Sequence, residues 1–276
     1  MRTIRFIVTA VSRSRDTFIR CDVYPGAHGM ETLEDVLKNS CNDALMAIGA
    51  KMGISDFIKY QSLFNFGSKT GIDLPEEIAG IVYDQKGMNE VELATCTFGQ
   101  GFTCTMIQQI ASFCAVVNGG YYYQPHVVEK VLDENGKIIK SSDGMLLKQP
   151  ISNQVSSLLR QYLETTVSEG TGRKAQVPGY RVGGKTGTAE KIDYTTGTRA
   201  AGKYLVSFIG AVPINDPQVV LYVVVDEPNV ADQAHVRTRR RSSARLRWRC
   251  FRTWVFTRRR RSRMSCWHIL GLNVKR

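Results

Sequence analysis

Val182-Gly183-Gly184-Lys185-Thr186-Gly187-Thr188-Ala189-Glu190 decides how this 276-residue chain is read. The stretch enters from Tyr180 as an extended segment. Two β-branched runs follow it, Tyr204 to Val212 and Gln218 to Val225, joined by Ile214-Asn215-Asp216-Pro217. That spacing predicts an antiparallel hairpin beside the motif strand. A strand reading Lys-Thr-Gly-Thr offers a cation and two hydroxyl donors to a ligand carboxylate. Its glycine lets a second backbone lie close, and an edge strand can take an extended peptide. The three residues alone are a weak signal, because Lys69-Thr70-Gly71 repeats them by chance. That second copy precedes Ile72-Asp73-Leu74-Pro75, a loop rather than a strand, and is given no catalytic part.

The half before the motif is helical. Ile107, Ile110, Ala111, Cys114 and Val117 recur at helical spacing until Asn118-Gly119-Gly120 ends the run. Val155, Leu158, Leu159, Tyr162, Leu163 and Thr166 predict a second helix over 152–168, closed by Gly170 and Gly172. Leu45, Ile48 and Met52 predict a third, starting near Asn42 or Asp43. Helices clustered against one antiparallel sheet make an α+β domain.

Ser40-Cys41-Asn42 stands at the start of that third helix. Alone, Ser and Asn there read as caps. Phe98-Gly99-Gln100-Gly101 precedes Thr105-Met106-Ile107-Gln108, and alone reads as a tight loop before a helix. In order, Ser40-Cys41-Asn42, the Gly-Gln-Gly and Thr-x-x-Gln stretch, Gly170-Thr171-Gly172 and Lys185-Thr186-Gly187-Thr188 resemble the transpeptidase domain of class B penicillin-binding proteins, of the division or sporulation type. Gly67 to Pro75 and Tyr121-Tyr122-Tyr123-Gln124-Pro125-His126 are similar to further landmarks of that family. The likeness runs from about Cys21 to His235.

The resemblance implies the penicillin-binding protein and serine β-lactamase fold, an antiparallel sheet flanked by helices and here incomplete. It implies acyl transfer through a serine acyl-enzyme that cross-links peptidoglycan, with no cofactor and no metal. Ser40 would shuttle a proton to the leaving amine, Asn42 orient the peptide, and Lys185 set the electrostatics of the serine relay. Thr186, Gly187 and Thr188 would line the carboxylate site, the Thr188 amide sharing the oxyanion hole. The implied partners are peptidoglycan stem peptides, β-lactam antibiotics and the division or sporulation cell-wall machinery. The implied place is the outer face of the bacterial membrane. A D,D-carboxypeptidase or β-lactamase on the same fold, and a muropeptide sensor that binds without acylation, stay open.

The family's nucleophile is the serine of Ser-x-x-Lys, some tens of residues before Ser-x-Asn. No serine of these 276 residues has a lysine three places on. Ser12 and Ser14 are followed at that spacing by Arg15 and Thr17, and an arginine stays protonated. The expectation is a chain that starts after the nucleophile and does not acylate. Residues 1–20 lie outside the likeness.

The net charge of +12 resides in the tail. Residues 236–276 hold 15 of the 37 Lys and Arg and none of the 25 Asp and Glu, leaving 22 basic against 25 acidic residues in 1–235. A basic arm for nucleic acid or anionic lipid is one reading, and a solvated disordered arm is another. The abrupt end of the family pattern at Val236 favours a third, a shifted reading frame, so no specific nucleic acid is expected. The apolar run Phe6 to Val11 falls well short of the ~20 residues that span a bilayer. The seven cysteines show no zinc-type spacing, and Cys104 and Cys114 read as core positions of one helix.

Overall fold

The computed structural model describes residues 4–230 except Ala10, Arg15, Asp22, Tyr24, Asp143 and Tyr194, together with Gln233 and the backbone of 269–273. Short strands β1 (Arg5–Val8), β2 (Val11–Ser14), β3 (Thr17–Arg20) and β4 (Gly29–Thr32) lead into helices α1 (Leu33–Asn39), α2 (Asn42–Leu63), α3 (Glu90–Thr97) and α4 (Met106–Val117). Then come β5 (Tyr122–Tyr123), β6 (Lys130–Leu132), β7 (Ile138–Ser141), β8 (Leu146–Lys148) and α5 (Asn153–Ser168). The main strands β9 (Gly183–Asp193), β10 (Thr198–Val212) and β11 (Val219–Asp226) follow, with β12 (Ile269–Asn273) last.

The main sheet runs β12-β11-β10-β9, antiparallel except for the parallel β11–β12 pair. The antiparallel sheet expected from the sequence is present in β9, β10 and β11, and β12 adds one parallel pair to it. The other tail positions, including both arginine runs, lie outside the described residues. β9 stands at the opposite edge, paired only with β10 among the described residues. Its far end is held by Lys191, whose Nζ reaches Asp226 at 2.9 Å and Glu227 at 2.7 Å.

Both faces of the sheet are buried, which is why β10 and β11 read as nearly unbroken apolar runs. Phe208, Val212, Leu221 and Val223 pack on one face with Val167, Ala175, Val177 and Val182. Ile209, Ala211 and Val220 pack on the other with Ile110, Phe113 and Val117 of α4, Leu163 of α5 and Ile214. Successive strand residues therefore bury in two clusters, one on each face of the sheet, and the 3.6 period of α4 and α5 supplies the helical side of the second. The N-terminal residues join a smaller cluster: β1 pairs with β4, and Phe6 and Val8 bury against Cys21, Val36, Cys41 and Ala44.

Helix ends follow local chemistry. Ser152 caps α5, accepting from the Val155 amide. Thr105 caps α4 in a capping box with Gln108, so Thr-x-x-Gln is first a helix start. Gln108 does more, because it is wholly buried. Its Nε2 donates to the Ser68 and Ala79 carbonyls, both at 2.7 Å. One amide thus ties α4 to the loop after α2. That loop carries Lys69-Thr70-Gly71, where the Glu77 carboxylate accepts from the Thr70 amide at 2.7 Å, the Thr70 hydroxyl at 2.5 Å and the Gly71 amide at 3.0 Å. These bonds fold the second Lys-Thr-Gly onto itself.

Three expectations shift. The motif strand was expected over Tyr180 to Thr188 and runs instead from Gly183 to Asp193. Cys104 is exposed just ahead of α4 rather than buried within it. Met52 is exposed, and the helical stretch from Asn42 bends at Gly53, whose φ of 78° no helix accommodates.

Gln108→Ala removes the buried donor shared by the Ser68 and Ala79 carbonyls and opens the capping box. Equilibrium urea unfolding should show a loss of about 2–4 kcal/mol; a loss under ~0.5 kcal/mol would contradict this account of the buried amide.

Candidate active site

Ser40 ends α1, in the left-handed region at φ 59° and ψ 47°. Its amide bonds to the Leu37 carbonyl at 3.3 Å and the Cys41 amide to the Val36 carbonyl at 3.0 Å, a Schellman end. Serine has a Cβ, so this conformation costs about 1 kcal/mol that glycine would avoid. The cap reading of the sequence is corrected: Ser40 closes the preceding helix, and Cys41 stands at the N-cap of α2 without a side-chain cap bond. Asn42 is the first residue of α2 and is half-buried.

Lys185 lies across from it on β9. Its Nζ donates to the Ser40 hydroxyl at 2.8 Å and to the Thr186 carbonyl at 3.1 Å, joining positions 145 residues apart. Alternation along the strand puts Lys185 and Gly187 on one side and Thr186 and Thr188 on the other. The Thr186 hydroxyl lies 3.1 Å from the Thr171 hydroxyl. The Thr188 hydroxyl is buried and has no hydrogen-bond partner among the described residues. Such a donor needs an acceptor from elsewhere.

Two loops hold the pair in place. The Thr171 amide donates to the Lys38 carbonyl at 3.1 Å, on the last turn of α1. A Cβ on Gly170 would come within 2.5 Å of that same carbonyl, so Gly170-Thr171-Gly172 is glycine-rich because it presses on the helix. Thr171 thereby touches both the α1 end that carries Ser40 and the strand that carries Lys185. From the other direction, Gln100 of the Gly-Gln-Gly loop donates to the Thr188 carbonyl at 3.4 Å. The part of Gln100 was not readable from the sequence, since only the loop glycines signalled there.

Gly187 was expected to admit a neighbouring backbone. Its immediate reason is across the strand, where a Cβ would meet the Ser207 hydroxyl at 2.5 Å.

Asp35 anchors the start of α1. Its carboxylate takes the Thr32 amide at 3.1 Å and hydroxyl at 2.6 Å, and meets Lys38 at 2.7 Å. Lys38 first, then Thr32, holds its pKa down to about 2.

Behind Ser40 the fold assembles a group that spacing did not suggest. Cys21, His28 and Cys41 place one sulfur or nitrogen each within 4.8 Å of the others. The Cys21 thiol is lowered to about 5, chiefly by the hydrogen bond from Cys41 and also by the Asn42 and Asp43 amides. The Cys41 thiol is raised by Cys21 and by burial.

Residues 21–243 match the penicillin binding protein transpeptidase domain. The chain is 45% identical over 204 residues to stage V sporulation protein D of Bacillus subtilis, covering 74% of this chain and 31% of that protein. It is 30% identical over 216 residues to a peptidoglycan D,D-transpeptidase FtsI homolog of Mesostigma viride, covering 72% of this chain and 36% of the relative. The fold superposes on penicillin-binding protein 3 of Mycobacterium tuberculosis in complex with ampicillin, at a TM-score of 0.77 and 24% identity, over 93% of this chain and 57% of that one. The chain spans about a third of the length of these curated relatives. Among the described residues no helix is long and apolar enough to cross a membrane.

The lowered Asp35 pKa carries a sign. Its contribution is fully present above the unfolded value near 3.9 and is lost as pH falls toward about 2. Asp35→Asn should lower stability at pH 7 by about 1 kcal/mol, and its deficit should shrink between about pH 4 and 2. Denaturant midpoints across that window check it; a deficit that stays constant to pH 2 contradicts it.

Proposed function

The chain belongs to the penicillin-binding protein transpeptidase domain family, and from that membership we propose that residues 21–235 form the carboxylate-recognising wall of a peptidoglycan D,D-transpeptidase cleft. The observation that carries the reading is the Lys185–Ser40 hydrogen bond near the Thr188 hydroxyl, which has no partner among the described residues, on the strand that ends the described sheet.

Each residue has a step. A stem peptide ending in D-alanine, or a β-lactam that mimics it, lies along the edge of β9 that faces away from β10. Thr188 donates its hydroxyl to the ligand carboxylate, and Thr186 joins it with Thr171 accepting or donating behind. Lys185 supplies the positive field. Gly187 keeps the strand close to the ligand. Asn42 orients the peptide amide. During acyl transfer the Ser40 hydroxyl, bonded to Lys185, passes a proton to the amine that leaves as the peptide bond breaks. The Thr188 amide supports the oxyanion. The attacking serine belongs to Ser-x-x-Lys, which these 276 residues lack, so this chain alone binds a β-lactam without a covalent bond. Partners in division or sporulation, and a place outside the cytoplasmic membrane, follow from the same reading.

Fluorescent penicillin tests it twice. Anisotropy should report reversible binding that Lys185→Ala weakens about ten- to a hundredfold, the worth of a charge-assisted bond. A denaturing gel should carry no fluorescent band. A covalent band refutes the absent-nucleophile step, and binding unchanged in Lys185→Ala refutes the site.

A further inference from the structure

The two ends of β9 differ in exposure. Gly183 and Gly184 are buried, and a Cβ on Gly183 would strike Ile214 at 2.4 Å. From Lys185 to Asp193 no residue of the strand is fully buried. A peptide whose C-terminal carboxylate is held at Thr186 and Thr188 therefore has one way out, toward Asp193, and runs antiparallel to β9. In an antiparallel pair, residues directly opposite share a face, and the next residue on that face stands two places, about 7 Å, further along. With the C-terminal residue opposite Thr188, the residue two places before it stands opposite Glu190.

Glu190 shares the face of Thr186 and Thr188. Its Oε2 accepts from Arg199 at 2.7 Å and its Oε1 from the Tyr204 hydroxyl at 3.2 Å. A carboxylate offers roughly four acceptor positions, so these two bonds leave room for a further donor. The Arg199 side chain is 52% exposed and that of Glu190 31%, so the arginine holds the carboxylate from the solvent side and can yield to a ligand. The neighbouring cations are committed elsewhere: Lys191 to Asp226 and Glu227, and Lys203 to Glu227 at 3.8 Å.

We propose that Glu190 determines specificity at this site, selecting stem peptides that carry a cationic side chain two residues before their C-terminus. The proposal rests on the carboxylate-site reading above and adds the chemistry of the rest of the ligand. Cross-linking by acyl transfer needs an amine, and donor and acceptor strands are copies of one polymer. The donor therefore carries the same amine upstream of its terminal pair, and at neutral pH that amine is an ammonium. An ammonium opposite Glu190 makes a charge-assisted hydrogen bond to it, while Tyr204 keeps the carboxylate turned to the ligand. No bond is made or broken in this step; the ion pair fixes the register that brings the last peptide bond to Ser40 and Lys185.

The test displaces fluorescent penicillin from the full chain, read by anisotropy, with two peptides. One is Nα-acetyl-lysyl-D-alanyl-D-alanine with its side-chain amine free, and the other is the same peptide with that amine acetylated. The free-amine peptide should bind about two- to fivefold tighter, the worth of a part-exposed ion pair, and the ratio should fall toward one at about 1 M salt. Glu190→Gln should bring the ratio to one by weakening the free-amine peptide alone. Arg199→Ala, which leaves Glu190 charged and removes its competitor, should widen the ratio. An ion pair that only braces the hairpin gives a different pattern: both variants would weaken both peptides alike. Lys185→Ala should weaken the two peptides equally. A ratio of one in the unmodified chain, which needs no variant to measure, or a ratio unchanged in Glu190→Gln overturns the proposal and leaves the carboxylate site standing. Failure of both peptides to displace penicillin overturns the two readings together.

Discussion

A lysine ammonium and a serine hydroxyl, 2.8 Å apart across 145 residues, set the terms for the rest of this molecule. For Lys185 to reach Ser40, the end of a seven-residue helix must meet the edge of a sheet built much later in the chain. Neither partner could arrange this alone. The Schellman end of α1 turns Ser40 out in a conformation that disfavours serine. The sheet supplies Lys185 on its last strand, paired with β10 alone among the described residues. Thr171 then fastens the two, with its amide on Lys38 and its hydroxyl against Thr186.

The strain at Ser40 is affordable because its surroundings over-determine it. A left-handed serine costs about 1 kcal/mol, whereas a hydrogen bond to a charged group is worth about 1.5–3. The two amide bonds of the helix end add to the second side. Asp35 and Thr32 secure the other end of the same helix. Glycines serve this geometry mainly by permitting contact: Gly170 against Lys38, and Gly184, whose Cβ would strike Phe208 and the Ile209 carbonyl.

How much of this could be read from the sequence depended on range. α4, α5 and the hairpin of β10 and β11 follow from local periodicity, because both faces of the sheet bury what those patterns expose. The Lys-Thr-Gly strand and its decoy were separable by what flanks them, and Glu77 supplies the physical reason the decoy is a loop. α1 was missed: seven residues with one fully buried side chain, Val36, carry too little pattern. Gln108 looked like a landmark, but its tie to Ser68 and Ala79 depends on a loop some 30 to 40 residues earlier. Cys21, His28 and Cys41 gave no signal at all, since ligand spacing in sequence presumes one local motif and these three come from different elements.

The central claim is that Lys185 and Ser40 act as one unit. A double-mutant cycle with Ser40→Ala, Lys185→Met and the pair, read by equilibrium unfolding, measures it directly. Coupling of about 0.5–3 kcal/mol is the predicted result. Additive losses, with coupling within about 0.3 kcal/mol of zero, would show that the two side chains are neighbours without being partners.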